Sequence, residues 1–245
     1  MIQTFNLTKI FEDKRRGKVV AADNINFSCK PGEIFGLLGL NGAGKTTTLR
    51  LLATSLKPTS GTAQVFGFDI VKETQKVKEK IGFLTGDTSL YPRLTADETV
   101  TYFARLYGMD NENLKKRKEE IFKILGIDDF KNGKIDKLSL GQKQKVSIAR
   151  TVIHDPPVLI LDEPTARLDV ISARNIVDFI KESKRQGKCV LFSTHIMHEA
   201  AKLCDVIAII HKGKILEVGT LPELQEKYKM PELDDIFVRI VEERR

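Results

Sequence analysis

A chain of 245 residues, 41% hydrophobic and 30% charged, is long enough for one large domain or two small ones and needs no disulfide staple. Cys29, Cys189 and Cys204 are far apart in sequence, show no C-x-x-C spacing and read as reduced core thiols of a cytoplasmic protein. A membrane-spanning chain is excluded as well, since no run of about 18 apolar residues and no signal-peptide order is present. The net charge of +7 admits an acidic partner but is spread along the chain. Basic runs occur at Lys14, Arg15, Arg16 and at Lys115, Lys116, Arg117, Lys118; the second precedes Glu119 and Glu120 and reads as a solvated helix face with i,i+4 pairs.

Residues 2–29 read as strands of an antiparallel layer. Ile25, Phe27 and Cys29 alternate with Asn24, Asn26 and Ser28, and residues 12–18 are expected to form a hairpin loop. Phe11 stands just before that loop. Pro31-Gly32 is a turn, after which residues 34–38 are continuously apolar, as in a strand buried on both faces. A helix after Lys45 is expected through Leu49, Leu51, Leu52 and Leu56, then a strand over 63–66, a charged helix over 71–80 and a strand over 81–84. The composition then turns helical. Thr95 with Glu98 forms a capping box before Val100, Phe103, Ala104 and Tyr107, a second helix covers 111–125 and ends at Gly126, and a third starts at the N-cap Ser139 and stops at Asp155-Pro156-Pro157. Further on come the strand 158–162, an amphipathic helix with Val170, Ala173, Ile176, Val177 and Ile180, and the strand 189–192 leading to Ser193, Thr194 and His195. A hairpin over 206–218, turning at Lys212-Gly213, and a short helical tail complete the chain.

Two stretches carry chemistry. Residues 39–46 read GLNGAGKT between an apolar strand and a helix, the P-loop pattern in its required setting. Gly39, Gly42 and Gly44 let backbone N–H groups converge on a polyphosphate, and the helix adds its positive end. Lys45 can reach the β and γ phosphates, and the Thr46 hydroxyl can ligate the Mg²⁺ that accompanies a nucleotide. Residues 158–165, VLILDEPT, deliver Asp162 and Glu163 from the end of an apolar strand. Asp162 is expected to meet Thr46 and Mg²⁺ across adjacent strands. His195, at the end of another strand, is expected on the same sheet edge, where open α/β sheets bind ligands.

P-loop, helical insert, LSLGQ, LDEP and a later strand-end histidine, in that order, resemble the ATP-binding subunit of ABC transporters over essentially the whole chain. The resemblance implies an α/β fold: a P-loop NTPase cassette with a mainly parallel sheet core, an N-terminal antiparallel β layer and an inserted helical subdomain. One domain, 1–245, would comprise 1–86 and 156–220 as RecA-like core with the β layer, 87–155 as helical subdomain and 221–245 as a helical tail. The ligands implied are ATP and Mg²⁺. Phe11 would stack on adenine, while Gly39, Leu40, Asn41, Gly42, Ala43, Gly44, Lys45, Thr46 and Thr47 would hold the phosphates. Thr46 and Asp162 would hold Mg²⁺, Glu163 would polarise the attacking water, and His195 would touch the γ-phosphate. Ser139, Gly141 and Gln142 would form the signature that meets the ATP of a second ATPase subunit in a head-to-tail homodimer or heterodimer.

The same resemblance implies a separate transmembrane permease, a peripheral place on the cytoplasmic face of the membrane and no nucleic acid. Three positions depart from the family's pattern. Gly86 stands where a glutamine usually follows the strand, Leu140 stands where glycine is commonest in the signature, and Arg167 stands where a small residue usually lets the partner approach. Arg167 is read first as a neutral replacement and second as an altered dimer contact. The wording of residues 82–95 and 154–165 is similar to that of sodium-extruding and related multidrug or antibiotic exporters. Two other readings fit the motifs: a weakly catalytic regulatory partner in a heterodimeric transporter, and a soluble ABC-type ATPase acting on nucleic acid or ribosomes.

Overall fold

A computed structural model describes residues 1–13, 17–86 and 89–243. The basic run Lys14, Arg15, Arg16 therefore lies outside the described residues. In chain order, strands β1 (Ile2–Asp13), β2 (Gly17–Ile25) and β3 (Ser28–Cys29) lead to β4 (Ile34–Leu38) and helix α1 (Lys45–Leu52). Next come β5 (Ser60–Val65), β6 (Phe68–Asp69), α2 (Thr74–Lys80) and β7 (Ile81–Leu84), followed by α3 (Ala96–Leu106), α4 (Asn111–Leu125) and α5 (Leu140–Val152). The remainder runs β8 (Val158–Asp162), α6 (Val170–Arg185), β9 (Cys189–Thr194), α7 (Met197–Leu203), β10 (Val206–His211), β11 (Lys214–Gly219), α8 (Leu221–Tyr228) and α9 (Leu233–Glu243).

Among the described residues, the core sheet has the order β11-β10-β4-β9-β8-β7. It is parallel except where β11 turns back on β10. Alternation along its central strands sorts side chains to two faces. Val158 and Ile160 of β8, with Leu191 of β9, join the cluster shared with α1 and the antiparallel layer. Leu159 and Leu161, with Val190 and Phe192, join the cluster under α3 to α6. Burial of each such side chain contributes about 1.5–3 kcal/mol, which is why these runs are apolar without a break. The second sheet, β2-β1-β5-β6 with β3 on β1, is antiparallel.

Several elements differ from the sequence expectation for local reasons. The strands β1 and β2 pair further than the 12–18 loop allowed, with Glu12 opposite Lys18. Helix α1 stops before Leu56 because Ala53 caps it and Thr54 takes a left-handed φ of 57°. Helix α2 starts three residues later than expected, since Asp69 Oδ1 accepts the Val71 and Lys72 N–H groups at 2.8 and 2.9 Å and holds a turn there. Val170 is 86% exposed and Ile171 75%, so the buried face of α6 is Ile176, Phe179 and Ile180 rather than the stripe that began at Val170. The expected capping box on α3 is present: Glu98 N–H donates to Thr95 Oγ1 at 3.1 Å and Thr95 N–H to Glu98 Oε2 at 2.8 Å.

The second basic run is only partly a solvated face. Arg117 pairs with Glu120 at 3.1 Å and with Asp155 at 2.7 Å, while Lys118 reaches Asp97 on α3 at 2.7 Å. The cysteines, remote in sequence, are not all remote in space. Cys29 and Cys189 are both buried, with their Sγ atoms 3.0 Å apart, where the antiparallel layer meets the core sheet.

The junction of α5 with β7 holds a half-buried imidazole. His154 stacks on Tyr107 with ring centroids 3.6 Å apart, and its Nε2–H donates to the Ile81 carbonyl at 3.1 Å. Burial lowers its pKa from the ordinary 6.5 to about 4. Burial pushes the neighbouring Asp155 carboxyl up, but the Lys188 ammonium at 2.6 Å and the Arg117 guanidinium outweigh it and hold that carboxyl below its usual range. The folded state therefore keeps His154 neutral where the unfolded chain takes up a proton. Its contribution to stability is complete above pH 6.5 and is lost as the pH falls toward about 4. The expected result is a thermal midpoint that declines across that window, with a shallower decline in His154→Phe, which keeps the stacked ring. Thermal unfolding monitored by circular dichroism at stepped pH checks this; identical slopes for the two proteins would remove His154 as the cause.

Candidate functional site

The C-terminal ends of β4, β9 and β8 lie side by side, and each delivers a functional group to the same edge. From β4 the chain enters the loop 39–44. Here Gly42 and Gly44 hold φ of 79° and 106°, and a β-carbon on Gly44 would run into the Ala21 carbonyl of β2. The loop is clamped from behind as well: Gly213 N–H donates to the Ala43 carbonyl at 2.8 Å and Asp23 N–H to the Gly213 carbonyl at 2.8 Å. The amides of Asn41, Gly42, Gly44, Lys45 and Thr46 donate to no backbone carbonyl among the described residues. They line a hollow of about 160 Å³ together with Ala21, Thr47 and Glu163. Free N–H groups converging at a helix start form an anion cradle.

Lys45, only 4% exposed, donates to the Gly39 carbonyl at 2.7 Å and the Leu40 carbonyl at 3.2 Å, and pairs with Glu163 Oε1 at 3.1 Å. The other carboxylate oxygen, Oε2, lies 3.0 Å from His195 Nδ1. Burial pushes the Glu163 carboxyl up, but the Lys45 ammonium and the adjacent His195 imidazole prevail and hold it below its usual range, so it is ionised at neutral pH. Glu163 sits at a left-handed φ of 46°, with its N–H donating to Ser193 Oγ at 3.1 Å and to the Ser193 carbonyl at 3.2 Å. Ser193, fully buried, in turn donates its hydroxyl to Asp162 Oδ1 at 2.6 Å.

One expectation needs correcting. Asp162 does not face Thr46 across adjacent strands, because β9 lies between β4 and β8 and places Ser193 beside the aspartate. Asp162 and Thr46 still line a common cleft of about 440 Å³. Their donor set, a carboxylate and a hydroxyl, is the hard-oxygen chemistry that suits Mg²⁺, and among the described residues no cluster of three or more His, Cys, Asp or Glu competes as a metal cage.

The remaining expected site residues stand apart from this cluster. Ser139 and Gln142 turn their hydrogen bonds on the cap of α5: Gln142 N–H donates to Ser139 Oγ at 3.2 Å and Ser139 N–H to Gln142 Oε1 at 2.9 Å. Gly141 is buried against α6, where a β-carbon would press on Ser172 Oγ. Phe11 is 38% exposed, opposite Val19 on β2, with Lys9 Nζ 5.1 Å from its ring centroid. Ser193, Ala21 and Gly213 are parts of the site that sequence reasoning passed over. A serine directly before a strand-end Thr-His was the one signal available for the first; the other two act through backbone and leave none.

A family model described as ABC transporter matches residues 22–166 of this chain. The chain belongs to the ABC transporter family. It is 42% identical over 239 residues to the ABC transporter ATP-binding protein NatA of Bacillus subtilis, covering 97% of both chains. It is 38% identical to the linearmycin resistance ATP-binding protein LnrL of the same species, over 91% of this chain and 70% of that one. Among solved structures, the dimeric post-hydrolysis state of the ATP-binding cassette MJ0796 bound to ADP and Pi superposes with a TM-score of 0.81 at 30% identity, covering 90% of this chain and 98% of that one. As a member of this family the chain is an ATP-binding and ATP-hydrolysing subunit that uses Mg²⁺. No helix among the described residues is long and apolar enough to cross a membrane.

Proposed function

We propose that this subunit powers export, at the cytoplasmic face of a membrane, of an ion such as Na⁺ or of a small antibiotic-like molecule through a separate permease. The export reading is supported by the wording of residues 82–95 and 154–165 and by a relative named for linearmycin resistance. The single observation that carries the catalytic assignment is the grip of Lys45 and His195 on the two oxygens of Glu163. Thr46 and Asp162 would hold Mg²⁺, which when bound would supply neutralisation of phosphate charge. The amides of the loop 39–47 cradle the phosphates, and Lys45 transfers its ammonium from Glu163 to the terminal phosphate. That transfer removes the main partner holding the Glu163 carboxyl down, and its basicity rises toward the level that burial sets. Glu163 Oε1 is then free to take the proton of the attacking water, while His195 keeps Oε2 in place and touches the γ-phosphate.

In the same reading Phe11 stacks on adenine, which displaces Lys9 from one ring face, and Ser139, Gly141 and Gln142 present the start of α5 to the ATP of a head-to-tail partner. Residues 1–86 and 156–220 act as core, 87–155 as helical subdomain and 221–245 as tail. The subdomain and the loop 86–92, which falls partly outside the described residues, dock on the permease. The test is affinity purification of tagged Glu163→Gln protein from detergent-solubilised membranes in ATP. Co-purification of a polytopic membrane protein is expected; recovery of only soluble proteins or RNA would overturn the transport assignment.

A further inference from the structure

Arg167 lies in the turn that joins β8 to α6 and takes a left-handed φ of 63°. Glycine adopts that conformation freely, whereas a residue with a β-carbon is strained there by about 1–2 kcal/mol. The turn is held on several sides. Ala166 N–H donates to the Glu163 carbonyl at 3.1 Å, Gln144 Nε2 to the Pro164 carbonyl at 2.9 Å, and Ser172 N–H to Asp169 Oδ1 at 2.9 Å. Strain that persists because its surroundings over-determine it is a reason to look for a task.

The guanidinium has one within reach. Arg167 is exposed and lines the same cleft as Thr46, Asp162 and Glu163. Lys45 is engaged with Glu163 and two carbonyls, but Arg167 makes no hydrogen bond or ion pair among the described residues. Gly86 also lines that cleft, and among the described residues a β-carbon there would meet nothing within 4 Å. Asp162 and Glu163 bring two carboxylates to this cleft, and Arg167 is the one cationic side chain among its described lining residues. A planar fork of N–H donors matches two phosphate oxygens at once, which an ammonium cannot do.

We infer that Arg167 binds the terminal phosphate of ATP in its own chain's cleft and retains inorganic phosphate after cleavage. The inference rests on the ATP-site assignment above. The test compares ATP, ADP and inorganic phosphate binding by the full-length chain, at concentrations where it is monomeric, with steady-state kinetics alongside. Arg167→Gly removes the fork and relaxes the turn, so folding is not put at risk; a thermal midpoint at or above the original confirms that. Expected are a roughly tenfold loss of ATP affinity with ADP affinity held within about twofold, a KM increase larger than the kcat change, and weaker product inhibition by phosphate. Arg167→Lys is expected to recover part of each.

Equal losses for ATP and ADP, or none, would overturn the proposal. So would intact monomer affinity with impaired ATP-driven dimerisation, which would assign Arg167 to contact with a second copy. Unchanged ATP binding by Lys45→Ala would instead break the assignment on which the inference stands, whatever the Arg167 variants do.

Discussion

Glu163→Gln is expected to lower ATP turnover by roughly 10²–10⁴, the range for loss of a general base, while ATP still binds. The substitution keeps size and shape, and the amide oxygen can still accept from Lys45, so the P-loop geometry survives. What disappears is the carboxylate that its two partners hold ionised against the opposing effect of burial. Because Lys45 suppresses its basicity only while it stays paired, the wild-type rate should depend on pH through a group that titrates higher with ATP bound than without. Single-turnover hydrolysis with equilibrium ATP binding on the same samples separates the two effects. Turnover within a few-fold of wild type would take Glu163 out of the reaction and leave its salt bridge with Lys45 as a structural pair.

Lys45→Ala should act on the other side of that pair. Its ammonium serves the Gly39 and Leu40 carbonyls as well as Glu163, so truncation strips the loop of an internal tie and the phosphates of their cation. Charge-assisted hydrogen bonds contribute about 1.5–3 kcal/mol, so ATP affinity should fall by roughly 10- to 150-fold, with AMP affinity much less affected. The two substitutions should not be additive. In Lys45→Ala the Glu163 carboxylate has already lost its main partner, and a double-mutant cycle on ATP affinity should show coupling. Additive losses would mean that the 3.1 Å contact carries no energy.

Much of this arrangement is legible in the sequence where a single segment determines it. The loop 39–46 needs only its own glycines and the strand before it, and the capping boxes at Thr95 and Ser139 need only three-residue spacings. Features that depend on strands meeting across the sheet are not readable in that way. Nothing in residues 158–165 says that β9 will come between β4 and β8, so the partnership of Ser193 with Asp162 was invisible. The close approach of the Ala21 carbonyl to Gly44 is a backbone contact made by the antiparallel layer, and no side chain advertises it. Likewise the Cys29–Cys189 neighbourhood joins two segments that no local pattern links. Val170 misleads for the opposite reason: it matches a helical apolar period yet faces outward at the start of α6, beside the turn that holds Arg167.

The position of β4 also bears on how the molecule is made. Both edges of this strand are filled by the last third of the chain, β9 on one side and β10 on the other. During synthesis the P-loop strand therefore waits, with both rows of backbone groups unpaired, while about 150 further residues are added; at roughly 5–20 residues per second that takes on the order of ten seconds or more. A nascent chain stalled before residue 189 would carry the whole phosphate-binding motif and still lack its seat. Nucleotide-agarose should capture released full-length chains and miss ribosome-bound ones of that length, and a pair of neighbours so distant in sequence makes this strand the natural point for a chaperone to guard.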